Sequence, residues 1–214
     1  MESADLAALR AEYAREGLEE HDAGADPVAL FRRWLGEAIA AGIHEPNAMA
    51  LATADTSGRP SVRIVLLKGF DEAGAVFYTN YDSRKGRELA DNPWASAALL
   101  WHQLQRQVRI EGRVGRVEPA QSDSYFSSRP RGAQIGAVAS QQSKPIEDRA
   151  AVEARVAEAE QTFDGRDVER PEQWGGFRIA LDAMEFWQGR ADRVHDRLRF
   201  TRGGDGWTRE RLQP

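Results

Sequence analysis

Residues 193–200 read RVHDRLRF, which places Arg193, His195, Arg197 and Arg199 two positions apart. On a β-strand successive side chains alternate, so these four share one face and Val194, Leu198 and Phe200 take the other. Same-face neighbours stand roughly 6–7 Å apart, a spacing at which like charges repel unless water or an anion intervenes. Such a row suits a site that receives anions. Cations recur elsewhere. Arg63 and Lys68 in SVRIVLLKGF are five apart, hence on opposite faces of one strand unless a bulge intervenes, and pattern alone favours solvated edge charges. Arg84 and Lys85 directly follow a helix cap at Asp82 or Ser83. The helix dipole disfavours cations there, yet free N–H groups with two cations also make a phosphate cradle, and both readings stand. In YFSSRPRGAQIG, Tyr125 and Arg129 are four apart on a helix, with Ser128 and Arg131 beside them. They could converge on one anion or form a surface cation–ring pair. Gln107 in RQVRIEGRV lies on the polar parity and reads as surface, and Trp187 in EFWQG reads as core.

The elements that must position these groups give an α+β pattern. Asp26 is a good N-cap with Pro27 at the first helical position, and Val28, Leu30, Phe31, Trp34, Leu35 and Ile39 form an apolar stripe. AMALATAD, SVRIVLLKGF and AVFYTN, separated by turns at TSGRP and DEAG, read as an antiparallel meander. SRKGRELADNP is a short helix ended by Asn92 and Pro93, and ASAALLWHQLQRQVRIEGRVGRVEP returns to strands. Two helical stretches follow, around PAQSDSYFSSRP and from SKPIEDRAAVEARVAEAEQTF. GGFRIALDAMEFWQG, RVHDRLRFTR and WTRERL are three closing strands, the last two joined by a GGDG hairpin turn. Short antiparallel strands with interspersed helices predict a small β-barrel, which removes exposed sheet edges.

Composition narrows the chemistry. The 214 residues are 41% hydrophobic, enough for one domain with a core. A net charge of -5 and a pI near 5.5 argue against gripping nucleic acid or an anionic membrane. No apolar run spans a membrane and the N-terminus lacks secretory order, so a cytoplasmic location is expected. With no Cys and four scattered His residues, no metal site is expected, and any redox chemistry requires an organic cofactor.

RIVLLKGFDEAGAVFYTNYDSRKGRELADNP, WHQLQRQVRIEG, YFSSRPRGAQIGAVASQQS, WGGFRIALDAMEFWQGRADRVHDRLRF and WTRERLQP together closely resemble pyridoxine/pyridoxamine 5′-phosphate oxidases over nearly the whole chain. The resemblance implies a homodimeric FMN-binding split barrel with flavin at the subunit interface. It implies a single domain over residues 1–214, with a helical segment at 1–45, first barrel strands at 46–118, a helical segment at 119–165 and closing strands at 174–214. FMN contacts are implied for Arg63, Ile64, Val65, Leu66, Lys68, Tyr78, Thr79, Arg84, Lys85, Gln107, Gln142, Ser143, Trp187 and Arg197, some from the partner subunit. Lys68, Tyr125 and Arg129 match the substrate-phosphate group, Ala133 occupies a further substrate-binding position of it, and Arg193 and His195 match catalytic residues over the substrate ring. Arg10 and Tyr13 match a segment that covers the site.

The implied reaction oxidises the C4′ alcohol or amine of the B6 phosphate to pyridoxal 5′-phosphate. Hydride goes to the flavin, and molecular oxygen is reduced to hydrogen peroxide. Ala133 departs from the family, which usually has Ser there, so a hydroxyl donor to the substrate phosphate is missing. Two alternatives remain on the same barrel: a non-catalytic carrier of FMN or pyridoxal phosphate, and another split-barrel flavin reductase.

Overall fold

The computed structural model describes residues 17–214. In chain order the elements are α1 (Glu20–Ala23), α2 (Pro27–Ala40), β1 (Ala48–Ala54), β2 (Pro60–Leu66), β3 (Gly69–Asp71), β4 (Gly74–Asn80), α3 (Arg84–Asp91), β5 (Trp94–Trp101) and β6 (Arg106–Arg116). They continue with α4 (Pro119–Ser127), α5 (Arg131–Ala139), α6 (Arg149–Thr162), β7 (Trp174–Ile179), β8 (Ala183–Gln188), β9 (Asp196–Gly203) and β10 (Gly206–Leu212). Two compact units interleave along the chain. One takes the described residues up to Asn47 with Ala98–Ile110 and Asp182–Pro214; the other takes Ala48–Ala97 and Glu111–Leu181. Among the described residues, no helix is long and apolar enough to cross a membrane.

In the first unit, α2 begins where the Asp26 carboxylate accepts the Val28 N–H at 2.9 Å, with Pro27 at the first position. Its buried line runs through Val28, Phe31, Trp34 and Ala38. Ile39, expected on that stripe, is 60% exposed, because the i, i+3, i+4 progression reaches Ala38 and leaves its neighbour about 100° away. Phe31 packs near Trp101 at 6.2 Å, and Trp34 meets Phe186 edge to face at 5.3 Å. Phe186 in turn meets Phe200 at 5.7 Å. Each such buried ring contributes on the order of 1.5–3 kcal/mol. Strand β9 pairs antiparallel with β8 and β10, and the turn between β9 and β10 is the expected one. Within β9, Leu198 and Phe200 are buried while Arg197 and Arg199 are half-exposed, as the alternation requires.

The basic row itself is shorter than the sequence implied. Strand β9 starts at Asp196, so Arg193 and His195 precede it in an irregular loop, and Val194 is 62% exposed rather than inward. Asp192 and Arg193 have φ of 56° and 62°, a left-handed pair of non-glycine residues that no strand can contain.

In the second unit, β1 alternates cleanly, with Met49, Leu51 and Thr53 inward. Its register against β2 sets Leu51 opposite Arg63 and Thr53 opposite Ser61. The expected meander breaks after Leu66, since β4 pairs with β3 and β7, not with β2. The Lys68 N–H bonds the Val76 carbonyl at 2.8 Å across that break. Ser83 caps α3, its hydroxyl accepting the Gly86 N–H at 3.3 Å, and the helix stops at Asn92 before Pro93. A Cβ on Gly86 would lie 2.0 Å from the Tyr81 carbonyl oxygen, so only glycine lets α3 start this close to the preceding strand.

Helix α5 lies within the helical segment expected at 119–165 but between the two stretches read as helices from their residues: RGAQIGAVA holds two glycines and no capping side chain. It is held by packing. Phe126, Ile135, Ala159, Val168 and Trp174 form a buried cluster around it, and Arg131 donates to the Phe163 and Arg166 carbonyls at 2.7 and 2.9 Å. The stretch GGFRIALDAMEFWQG, expected as one strand, is two, β7 and β8, split at Ala180–Asp182 where the chain passes from one unit to the other.

Candidate functional site

The second unit has a partly open cavity of about 850 Å³. Strand β2 lines it with Arg63, Ile64, Val65 and Leu66, and Lys68 follows on the break after that strand. The break is why Arg63 and Lys68, expected on opposite faces of one strand, reach the same space. Of the other expected residues, Tyr78 and Thr79 of β4, Arg84 and Lys85 of α3, Tyr125 of α4, Arg129, Ala133 of α5, and Gln142 and Ser143 also line it. The sequence reading missed Trp174, Ser140 and Asn80, which also line it.

One side of this cavity is cationic. Lys85 is only 7% exposed, and its ammonium donates to the Thr79 hydroxyl at 3.0 Å, the Ser83 hydroxyl at 3.2 Å and the Gln142 carbonyl oxygen at 2.8 Å. Burial, then the nearby Arg63 charge, bring its pKa down to about 8. Thr79 also donates to the Gln142 oxygen, at 3.0 Å. Arg63 donates to the Leu51 carbonyl at 3.2 Å and to the Thr53 hydroxyl at 2.6 Å, bonds Ser61, and pairs with Glu88 at 3.3 Å. Arg84 meets the other Glu88 oxygen at 2.8 Å. Glu88 was not singled out from the sequence, although its place four residues after Arg84 is an ion-pair spacing.

A second group is aromatic and cationic. Tyr78 stacks on Tyr125 at 3.9 Å and lies nearly parallel to Trp174 at 5.6 Å. The Arg129 guanidinium lies 4.7 Å from the Trp174 ring and 5.7 Å from Phe126. Helix α4 ends at Ser127, so Arg129 is beyond it rather than one turn along it, yet it shares the cavity with Tyr125. The anion and cation–ring readings of this residue are therefore compatible. Its Nη1 is buried without a hydrogen-bond partner, and burial lowers its pKa. An unsatisfied buried guanidinium N–H is costly and fits a group that an anionic ligand completes. Ser128, beside it, spends its hydroxyl on the Tyr125 carbonyl at 2.8 Å.

The remaining expected residues belong to the first unit. Trp187 on β8 is half-buried, with the His195 ring 4.7 Å away. It lines a smaller cavity of about 170 Å³ with Gln107, Gln105, His102 and Leu100. Arg197 donates to Glu185 at 2.9 Å and to the Gln213 carbonyl at 3.0 Å. The Arg190 N–H donates to His195 Nδ1 at 3.1 Å, so neutral His195 carries its proton on Nε2. Arg193 is in the left-handed loop just before it. Arg10 and Tyr13 lie outside the described residues.

Antiparallel strands with peripheral helices, one unit of them bearing a cavity lined by cations and aromatic rings, define a split-barrel protein of the FMN-binding fold. Residues 35–163 match the family described as pyridoxamine 5′-phosphate oxidase, and residues 174–214 match the pyridoxine 5′-phosphate oxidase C-terminal dimerisation region. The chain belongs to the pyridoxine/pyridoxamine 5′-phosphate oxidase family of oxidoreductases. It is 57% identical to the pyridoxine/pyridoxamine 5′-phosphate oxidase of Rubrobacter xylanophilus over 98% of this chain and 97% of that protein. It is 56% identical to that of Paraburkholderia phymatum over 98% and 99%. Among solved structures, PhzG from Burkholderia lata, in complex with tetrahydrophenazine-1-carboxylic acid, superposes with a TM-score of 0.86 at 38% identity, covering 91% of this chain and 95% of that one. A pyridoxamine 5′-phosphate oxidase-related, FMN-binding protein from Nostoc punctiforme shares the fold at a TM-score of 0.68 and 18% identity, covering 86% and 97%.

Proposed function

We propose that this chain binds FMN and oxidises pyridoxamine or pyridoxine 5′-phosphate to pyridoxal 5′-phosphate, with oxygen as acceptor and hydrogen peroxide as co-product. The observation that carries this is one cavity holding two separately built cation sets. Arg63, Arg84 and Lys85 stand on β2 and α3, while Arg129 stands on the Tyr78–Tyr125–Trp174 rings. Two phosphate-bearing planar ligands need that arrangement. Relatives above 50% identity bearing the oxidase name support the same substrate class.

Arg84, Lys85 and Arg63, with Thr79, Gln142 and Ser143, would hold the flavin phosphate and its neighbouring groups. Lys68, Tyr125 and Arg129 would hold the substrate phosphate. FMN, when bound, supplies the two-electron chemistry. The protein's part is to hold two ring systems face to face, which converts a bimolecular encounter into an oriented one. Arg193 orients the C4′ substituent, and neutral His195 offers an Nε2–H donor because its Nδ1 already accepts the Arg190 N–H. Trp187, Gln107 and Arg197 are read as flavin contacts from a partner subunit.

The whole chain is treated as one functional domain acting as a homodimer. The match to a dimerisation region supports this, as does the outward row of β2, where Val62 and Ile64 are 68% and 66% exposed. A second reading, oxidation of a phenazine-type carboxylic acid, draws on the ligand of the PhzG structure. Purified protein should be yellow, and pyridoxamine 5′-phosphate in air should yield pyridoxal 5′-phosphate. Turnover of a tetrahydrophenazine carboxylate with none of the B6 phosphates would favour the second reading.

A further inference from the structure

Glu88 is a buried charge beside the cavity for which the proposed function has no task. Its side chain is 6% exposed, and four donors converge on its two oxygens. The Thr53 hydroxyl reaches Oε2 at 2.5 Å, the Ser61 hydroxyl at 2.6 Å and Arg63 Nη2 at 3.3 Å, while Arg84 Nε reaches Oε1 at 2.8 Å. The same two hydroxyls accept from Arg63, at Nη1 for Thr53 and Nη2 for Ser61. Arg63 is thus tied to the carboxylate once directly and twice through a hydroxyl that accepts from one and donates to the other. One anion from α3 thereby fixes a guanidinium on β2 and another on its own helix.

We infer that Glu88 is a positioning residue of the flavin-phosphate pocket, aiming Arg63 and Arg84 and holding the cation cluster together so that the pocket selects FMN over riboflavin. The inference rests on the flavin reading above. Without Glu88, the buried Lys85 and the largely buried Arg63 would lose the anion that acts on both, and the more exposed Arg84 would lose its ion-pair partner. The groups acting on Lys85 are Arg63 from β2, which disfavours its charge, and Glu88 from its own helix, which favours it. Burial is the larger influence and already holds this lysine at about 8, so losing Glu88 moves its titration further down. Glu88 itself stays ionised: burial alone would raise its pKa, but the bonds from Ser61, Thr53 and Arg84 and the Arg63 charge bring it to about 2.

A carboxylate near a phosphate site could instead act as a repulsive neighbour, whose removal would tighten FMN. The four donors argue against this. They take up the acceptor capacity of the carboxylate and draw its charge toward the guanidiniums, so removal loses two anchored cations for a small relief of repulsion.

The test is titration of the apoprotein with FMN and with riboflavin, read by flavin fluorescence, for wild type, Glu88→Gln and Glu88→Asp. The apoprotein melting temperature is measured alongside. Glu88→Gln should weaken FMN roughly tenfold near pH 8 and less near pH 6, where Lys85 is charged in both proteins, while riboflavin changes by less than about twofold. Glu88→Asp keeps the charge one methylene short and should recover part of the loss. Equal losses for both flavins, or unchanged or tighter FMN, would overturn the assignment. Should the Gln variant not fold, the Asp variant alone decides, by the same contrast between the two flavins. A wild-type apoprotein that takes up neither flavin would overturn the flavin reading itself, and this inference with it.

Discussion

Adding a hydroxyl at Ala133 is the most informative single change in the group proposed to hold the substrate phosphate. Ala133 is the third residue of α5 and lines the cavity beside Arg129 and Tyr125. A serine there adds one donor, and a good hydrogen bond to a charged phosphate contributes roughly 1.5–3 kcal/mol. Two local facts set how much of that gain is realised. Ser128 cannot already be supplying the missing donor, since its hydroxyl is committed to the Tyr125 carbonyl at 2.8 Å. Arg129, by contrast, has a buried Nη1 without a partner, able to take the same phosphate oxygen. With Arg129 competing for that oxygen, the net gain falls to about 1 kcal/mol, roughly fivefold in affinity. The helix-propensity cost of Ser against Ala, about 0.5 kcal/mol, bears on stability and not on binding. The phosphate takes no part in the bond changes at the C4′ carbon, so the bond is equally good in ground and transition states and the change falls on KM. Steady-state kinetics at matched flavin loading should show Ala133→Ser with a roughly fivefold lower KM for pyridoxine 5′-phosphate and an unchanged kcat. An unchanged or higher KM would mean that the pocket is already complete without the hydroxyl.

Three further outcomes follow from the geometry. Gly86→Ala drives a Cβ to 2.0 Å from the Tyr81 carbonyl, so α3 must shift at a cost of about 1–3 kcal/mol, and calorimetry should show a Tm lower by several degrees together with poorer flavin retention. Because the folded Lys85 titrates at about 8 against a usual 10.5, the unfolded chain binds more protons between those values; this residue therefore adds apoprotein stability as pH rises through that window, while FMN affinity falls as the ammonium is lost. Opposite slopes for apoprotein melting and FMN affinity over that window would verify this, and parallel slopes would refute it. Arg193→Ala should depress turnover far more than flavin binding, and Arg197→Ala should do the reverse, as measured by kcat per bound flavin and by flavin retained on gel filtration.

What the sequence made legible was local. The Asp26–Pro27 start of α2, the Ser83 cap of α3 and the alternation of β1 are written in residues adjacent to the structure they make. The gathering of Tyr78, Lys85, Tyr125, Arg129 and Gln142 around one cavity came from family resemblance, since their spacing alone left surface and ligand readings open. Long-range packing decided the rest. Helix α5 has weak propensity and is held by packing against Ala159, Val168 and Trp174, which lie twenty or more residues beyond its end. The start of β9 was misplaced because alternation continues in the letters through Arg193 while the backbone turns left-handed there. Glu88 was passed over because its i, i+4 pair with Arg84 looks like an ordinary exposed helix pair. Its burial depends on Thr53 and Ser61, brought opposite each other by the β1–β2 register.

The most direct measurement is oxygen uptake by the purified, flavin-loaded protein on addition of pyridoxamine 5′-phosphate, with pyridoxal 5′-phosphate and hydrogen peroxide followed together. The expected result is one pyridoxal 5′-phosphate and one peroxide per oxygen consumed, with catalysis reduced by Arg129→Ala through KM. A protein that retains FMN and binds the B6 phosphate yet consumes no oxygen and forms no aldehyde would contradict the account, leaving a carrier on the same fold.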